Sequence, residues 1–125
     1  MKILASLFCL SIATTAFAEL PSGNEASIKA ALASGRPTLV DFGARKCVPC
    51  KKMAPILEEL EKEYRGRANV IFVDVWQNNR IGGNYRVQMI PTQIFFDASG
   101  REISRHIGFM DRQPIVDTFK KLGVK

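Results

Sequence analysis

Two cysteines separated by two residues, Cys47 and Cys50, are the side chains of this sequence with the clearest chemistry. They follow a short apolar run and a loop and precede a segment with helical periodicity, so we expect them at the first turn of a helix. At this spacing the two sulfurs lie on one face of that turn, close enough to bond each other. The unpaired N–H groups and positive dipole at the helix start favour the nucleophilic thiolate of Cys47. The pair is therefore predicted to carry out thiol–disulfide chemistry.

Three other interpretations of the cysteine pair compete with this one. A zinc site needs four ligands, but the sequence offers one histidine, His106, far from the cysteines. Covalent haem attachment needs a histidine directly after the second cysteine, where Lys51 stands. A chemically inert pair stays open as an alternative. Because so small a loop restrains the unfolded chain little, however, chemistry explains the pair better than stability does.

An acid, Asp41, lies within the apolar run Thr38–Phe42, which predicts a buried strand. Burial raises the pKa of a carboxyl group and would make Asp41 a proton acceptor near neutral pH. The alternative is an acid that faces solvent. Pro91 precedes another apolar run, Thr92–Phe96, and can simply open a strand there.

The elements that would position these residues alternate between helical and extended patterns. We expect a helix from Asn24 to about Ser34, a strand at Thr38–Phe42, a long helix from the cysteines to about Arg65, a strand at Val70–Val75, a loop or short helix at Asn78–Val87, strands at Thr92–Phe96 and Glu102–Ile107, and a last helix from Asp111 to about Leu122. This order predicts an α/β domain with a mixed sheet and helices on both faces.

Residues 1–18 have the features of a cleaved signal peptide. A positive start is followed by the apolar run Ile3–Ile12, and Ala16-Phe17-Ala18 supplies the small residues of a cleavage site. The run is shorter than the ~20 residues of a transmembrane helix, although an uncleaved anchor or a buried helix is the alternative. Cleavage removes Cys9 and leaves residues 19–125 as one domain. We therefore expect an exported protein, periplasmic or extracellular, without stable membrane association after cleavage.

The sequence is basic, with 18 Lys and Arg against 12 Asp and Glu and a formal charge of +6. The basic residues are scattered, and no aromatic-interleaved patch accompanies them, so we expect no nucleic-acid partner. Four of them flank the cysteines: Arg45, Lys46, Lys51 and Lys52. These charges are expected to favour a thiolate, although salt screens exposed charges.

The segment Val40–Lys51, with Pro55 and Ile90-Pro91-Thr92, resembles the thioredoxin family, and the similarity extends from about Arg36 to Leu122. The resemblance implies a thioredoxin fold and a thiol–disulfide oxidoreductase. Its residue-by-residue implications are that Cys47 is the exposed attacking cysteine, Cys50 the buried resolving cysteine, Asp41 the acid beneath the pair, Pro91 a cis-proline, and Gly108 a glycine of the docking groove.

The resemblance also implies which groups contact a substrate. A cis bond before Pro91 would expose the Ile90 backbone for strand-like pairing with a substrate segment. The implied substrate-binding set is Val48, Pro49, Ile90, Pro91 and Gly108. No metal and no cofactor beyond the redox-active disulfide is expected, and the expected partners are protein disulfide or dithiol substrates and a redox partner protein. We expect a monomer.

Several positions depart from the family pattern. Lys46 replaces a tryptophan before the first cysteine, Gly43 replaces an aromatic residue, Val48-Pro49 replaces Gly-Pro, and Phe72 replaces a lysine near the acid. These changes alter the docking surface and leave it open whether a cytoplasmic thioredoxin reductase is the partner. Ile90 and Pro49 resemble reducing members of the family, whereas the basic neighbours stabilise the reduced form and favour an oxidant. We expect a reductase; the alternative is a non-catalytic module that binds an extended peptide or a metal-delivery partner.

Overall fold

The computed structural model describes residues 19–125, and the predicted signal peptide lies outside this part of the chain. The helices and strands are α1 Glu25–Leu32, β1 Thr38–Gly43, α2 Val48–Tyr64, β2 Asn69–Asp74, α3 Asn79–Asn84, β3 Thr92–Phe96, β4 Glu102–Ile107 and α4 Arg112–Lys121. Their order is the one expected from the sequence. Within residues 19–125, no helix is long and apolar enough to cross a membrane.

The four strands form one mixed sheet in the order β2-β1-β3-β4. Strand β1 runs parallel to β2 and antiparallel to β3, and β3 is antiparallel to β4. The register places Phe42, near the end of β1, opposite Thr92 at the start of β3, and Thr92 opposite Ile107 at the end of β4. One end of the sheet therefore collects the loop before the cysteines, the Pro91 region and Gly108.

Each face of the sheet is covered by its own layer of helices. Leu39 and Phe95 pack in one buried cluster with residues of α2 and α4. Val40 follows Leu39 on β1, and Ile94 precedes Phe95 on β3. These two residues pack in a second cluster with residues of α1 and α3. This division follows from the alternation of side chains along a strand. It explains why every residue of β1 is buried.

Strands β3 and β4 have the expected bounds, α3 ends at Asn84 rather than Val87, and the other element ends differ from expectation by at most two residues. Gly43, expected in a loop, belongs to β1 because its carbonyl accepts a hydrogen bond from Val75 N at 2.9 Å. Strand β2 begins at Asn69, whose backbone N donates to Pro37 O at 2.9 Å. Asn24 caps α1 as expected, with its side chain accepting from Ser27 N at 2.9 Å.

Candidate active site

Cys47 and Cys50 form a disulfide at the N-terminus of α2. Cys47 is the N-cap residue, with an extended backbone (φ −81°, ψ 126°), and its carbonyl accepts the hydrogen bond from Lys51 N at 2.9 Å. Cys47 is partly exposed, whereas Cys50 is only 4% exposed. A reagent or substrate approaching from solvent therefore reaches Cys47 first.

Asp41 is fully buried on the central strand β1. Its Oδ1 accepts a hydrogen bond from Gln93 Nε2 at 2.9 Å, and its Oδ2 is buried without a hydrogen-bond partner among the described residues. Burial raises the pKa of Asp41 to about 7, and the hydrogen bond from Gln93 opposes this rise. The carboxyl group can therefore exchange a proton near neutral pH.

Gly43 lies next to both the Asp41 carboxyl group and the Cys50 sulfur. A Cβ at this position would lie 3.3 Å from Cys50 Sγ and 3.4 Å from Asp41 Oδ2. The unpartnered oxygen and the buried sulfur therefore border one small space, which the absence of a Gly43 side chain leaves open. This arrangement suits the passage of a proton between the Cys50 thiol and the Asp41 carboxylate.

The Ile90–Pro91 peptide bond is cis. Pro91 is buried, Ile90 is partly exposed, and the Pro91 carbonyl accepts a hydrogen bond from Gly108 N at 2.8 Å. Gly108 has a positive φ of 100°, a conformation that favours glycine. The register of β1, β3 and β4 puts these residues at the same end of the sheet as Cys47.

Exposed apolar side chains surround this end of the sheet. Val48 begins α2, Met89 precedes the cis bond, Phe109 follows Gly108, Ile107 ends β4, and Trp76 follows β2; their exposed fractions range from 41% for Phe109 to 68% for Val48. Of these residues, Val48 belongs to the expected substrate-binding set, and the other four were not expected at the site.

Arg45 differs from the three lysines that flank the cysteines because its side chain makes specific contacts. Its guanidinium donates to Glu19 Oε2 and to Leu20 O, both at 2.8 Å, and lies over the Phe72 ring at 5.0 Å. Arg45 therefore fastens the N-terminal segment to the start of the active-site loop. Lys46, Lys51 and Lys52 stay exposed next to the cysteines.

Two site residues were not expected from the sequence, Gln93 and His106. Gln93 is fully buried between Asp41 and His106, and its Oε1 lies 2.8 Å from His106 Nδ1. The sequence feature that could have indicated Gln93 is a polar residue near the start of an apolar strand, two positions after Pro91. Its meaning depends on strand register, which sets Gln93 opposite both Asp41 and His106.

Asp74 was also overlooked. It is buried at the end of β2, and its carboxylate accepts hydrogen bonds from the backbone N of Arg45, Trp76 and Gln77 at 2.9–3.2 Å. Asp74 therefore holds two loops that border the site. The part of the chain from residue 19 onward contains no cluster of three or more His, Cys, Asp or Glu side chains suited to a metal ion.

Comparisons with known proteins agree with this geometry. The thioredoxin family model matches residues 21–121. Thioredoxin from Staphylococcus aureus (strain COL) is 39% identical over 83 residues, which is 66% of this chain and 79% of the relative. A mutant thioredoxin from Halobacterium salinarum NRC-1 superposes with a TM-score of 0.72 at 25% identity, covering 81% of this chain and 87% of the other. Chloroplastic thioredoxin z gives a TM-score of 0.72 at 27% identity, covering 85% and 96%.

Proposed function

The chain belongs to the thioredoxin family and is a thiol–disulfide oxidoreductase, and we propose that it exchanges disulfides with extracytoplasmic protein substrates through Cys47 and Cys50. The observation that carries the proposal is the disulfide between a partly exposed Cys47 and a buried Cys50 that borders Asp41. The confirmed fold is the thioredoxin fold predicted from the sequence.

The first step uses the reduced enzyme. The Cys47 thiolate attacks one sulfur of a substrate disulfide, so that a new sulfur–sulfur bond forms while the substrate bond breaks and its other sulfur leaves as a thiolate. Exposure of Cys47 and its position at the N-terminus of α2 support this role, because the helix terminus stabilises negative charge. The product is a mixed disulfide between enzyme and substrate.

The second step releases the substrate. The Cys50 thiol transfers its proton to Asp41 and attacks the Cys47 sulfur, which forms the Cys47–Cys50 disulfide and expels the second substrate thiolate. The free Oδ2 beside Cys50 and the pKa of about 7 for Asp41 support its role as proton acceptor. No cofactor other than the redox-active disulfide is needed for either step.

The substrate segment is proposed to bind along the cis-proline loop. The partly exposed Ile90 offers backbone groups for strand-like pairing, next to Pro91, whose carbonyl is tied to Gly108. Val48 and Pro49, both exposed on the first turn of α2, provide contact on the other side. The exposed apolar residues near this end would then favour substrates with apolar side chains next to the cysteine.

We propose that the enzyme works as a reductase and that a separate redox protein returns it to the dithiol form. Ile90 before the cis-proline and Pro49 before the second cysteine resemble reducing members of the family, and this resemblance favours the reductase direction. The exposed Lys46, next to Cys47, gives the surface around the disulfide a charge where the common family pattern has a tryptophan. The redox partner is therefore expected to read this surface.

The test of the reaction uses Cys50→Ser protein in the periplasmic or secreted fraction. If exchange occurs as proposed, substrates accumulate as mixed disulfides with Cys47 and are released by a reductant. A Cys47→Ser protein is the matched control and should trap nothing. A non-catalytic binding module would retain the same partners in both variants, independent of reductant, and this result would contradict the proposal.

The test of export uses the mass of the protein recovered outside the cytoplasm. Cleavage after Ala18 predicts a chain that begins at Glu19, the residue that Arg45 binds. Recovery only from the cytoplasm, or of a chain that retains residues 1–18, would contradict export of the mature domain. This result would leave the exchange chemistry itself untouched.

The role of Asp41 is tested by Asp41→Asn, which removes the proton acceptor while nearly preserving shape. Formation of the mixed disulfide should change little, whereas its resolution by Cys50 should slow by roughly 10²-fold near pH 7. Stopped-flow measurement with a fluorescent peptide disulfide separates the two steps. Equal slowing of both steps would assign Asp41 a structural role only.

A further inference from the structure

A chain of two hydrogen bonds connects the buried Asp41 to the edge of the sheet. Gln93 Nε2 lies 2.9 Å from Asp41 Oδ1, and Gln93 Oε1 lies 2.8 Å from His106 Nδ1. The three residues are direct neighbours across strands β1, β3 and β4. Asp41 and Gln93 are fully buried, whereas His106 is partly exposed on the edge strand.

The chemistry of the groups sets the direction of both bonds. An ionised carboxylate only accepts hydrogen bonds, so Gln93 must turn its NH₂ group towards Asp41. Its carbonyl oxygen, which also only accepts, then faces His106, and Nδ1 must carry a hydrogen. If the amide were reversed, two acceptor oxygens would meet in a buried site, an arrangement that costs free energy unless Asp41 is protonated.

We propose that His106 is a positioning residue for the reaction at Cys50, because its Nδ1–H holds the Gln93 amide in the orientation that donates to the Asp41 carboxylate. The inference rests on the proposed role of Asp41 as the proton acceptor for Cys50. With Gln93 committed to Oδ1, the remaining oxygen is Oδ2, which borders the Cys50 sulfur. His106 thus acts on the reaction through Gln93 without contacting the cysteines.

Removal of the His106 hydrogen bond frees the Gln93 amide to reverse. A reversed amide accepts a hydrogen bond from a protonated Asp41, and this favours the neutral acid over the carboxylate. The neutral acid cannot take the Cys50 proton. His106 is therefore expected to extend the pH range in which Asp41 is ready to act, although it lies on a different strand from both reacting groups.

The two helices that cover this face of the sheet carry charged and titratable groups of their own. Helix α2 carries Lys51, Lys52, Glu58, Glu59, Glu61, Lys62, Glu63 and Tyr64, and α4 carries Arg112, Asp117, Lys120 and Lys121. None of them contributes to the raised pKa of Asp41, which results from burial, opposed by Gln93. On the other strands, Arg105 is paired with Glu102, the buried Asp74 accepts three backbone hydrogen bonds, and Phe72 opposite Asp41 is uncharged. The hydrogen-bond chain is therefore the polar route to the acid.

The test measures two quantities in reduced protein: the titration of the Asp41 carboxyl carbon by NMR, and the pH profile of mixed-disulfide resolution. In His106→Leu, the Asp41 midpoint should move to higher pH, and resolution at pH 7 should slow by roughly three- to tenfold. His106→Asn is the matched rescue, because its Nδ2 can occupy the place of Nδ1 and donate to Gln93. It should restore most of both values.

Repeating the His106 substitution in a protein that lacks the Gln93 amide separates an effect through Gln93 from a direct effect of His106 on Asp41. In Gln93→Met, or Gln93→Leu if the former does not fold, adding His106→Leu should change neither the Asp41 midpoint nor the rate. A further change in that background, or an unshifted midpoint in His106→Leu alone, would overturn the inference. If Asp41→Asn leaves resolution of the mixed disulfide unchanged, the proposed role of Asp41 as proton acceptor is wrong. The NMR titration still reports whether His106 influences Asp41 through the hydrogen bonds of Gln93.

Discussion

The carboxylate oxygen Oδ2 of Asp41 and the sulfur of Cys50 both border the space that a Gly43 side chain would occupy. A Cβ at Gly43 would meet the sulfur at 3.3 Å and the oxygen at 3.4 Å. Strand β1 supplies the acid, the end of that strand supplies the space, and the first turn of α2 supplies the sulfur. The parts needed to deprotonate the resolving cysteine thus converge although they come from two different elements.

Gly43→Ala should interfere with the reaction at Cys50. The backbone of Gly43 does not have a positive φ, so alanine causes no backbone strain there. Its methyl group, however, would lie within 3.4 Å of Cys50 Sγ and Asp41 Oδ2 and would occupy the space that thiol and acid both border. We expect resolution of the mixed disulfide to slow by about tenfold, while attack by Cys47 changes little. Stopped-flow kinetics of the two steps check this.

The matched control is Gly83→Ala. A Cβ at Gly83, in helix α3, would meet nothing within 4 Å. This variant should keep wild-type kinetics and gain about 0.5–1 kcal/mol of stability, because alanine favours helix over glycine. If both variants resolve the mixed disulfide at the wild-type rate, the space beside Gly43 has no part in the reaction.

The two cysteines should differ in reactivity once the disulfide is reduced. Cys47 is partly exposed at the helix terminus, whereas Cys50 is 4% exposed. Brief treatment of the folded, reduced protein with iodoacetamide should therefore label Cys47 alone. Peptide mapping by mass spectrometry reads the result, and a denatured sample, in which both cysteines label, is the control. Preferential labelling of Cys50 would reverse the assigned roles.

Asp41→Asn should stabilise the oxidised protein at high pH. Between pH 3.8 and about 7, folded Asp41 holds a proton that the unfolded chain has released, so wild-type stability falls as pH rises through this window. The loss is complete above about pH 7. The variant should therefore exceed wild type by up to about 4 kcal/mol at pH 8 and differ little at pH 4.

Denaturant unfolding at the two pH values measures this difference. Asp117→Asn, which changes an exposed acid on α4, is the control for a general effect of lost negative charge and should show no comparable gain. An Asp41→Asn gain that is equal at pH 4 and pH 8 would show that titration of the acid is not its source.

Lys46 should influence the reduction potential of the cysteine pair. Its exposed ammonium group stands next to Cys47 and favours the thiolate, which exists only in the reduced form. Lys46→Met should therefore make the potential more negative, by at most about 30 mV at low salt, and the difference should shrink at high salt. Equilibration with glutathione measures it. Lys120→Met, an exposed change on α4, is the control, and a less negative potential in Lys46→Met would contradict the argument.

Much of the fold was predictable because it depends on local pattern. The pattern of apolar residues indicated the strands and the longer helices, and Gly43 and Asn69 mark places where the end of a strand shifted by one residue. There, single hydrogen bonds between distant segments, such as Val75 N to Gly43 O, decide where a strand ends. The cysteine pair and the buried acid were also recognisable, since both combine an unusual residue type with a definite position in the pattern.

The sequence by itself determined the order of elements, the position of Cys47 and Cys50 at a helix start, and the burial of Asp41. Only the tertiary structure decided that Gln93 and His106 continue the polar chain from the acid, and that Arg45 binds Glu19. The physical reason is that these contacts join residues 13 to 52 positions apart in the chain. Such contacts depend on strand register and sheet order, which local propensity does not encode.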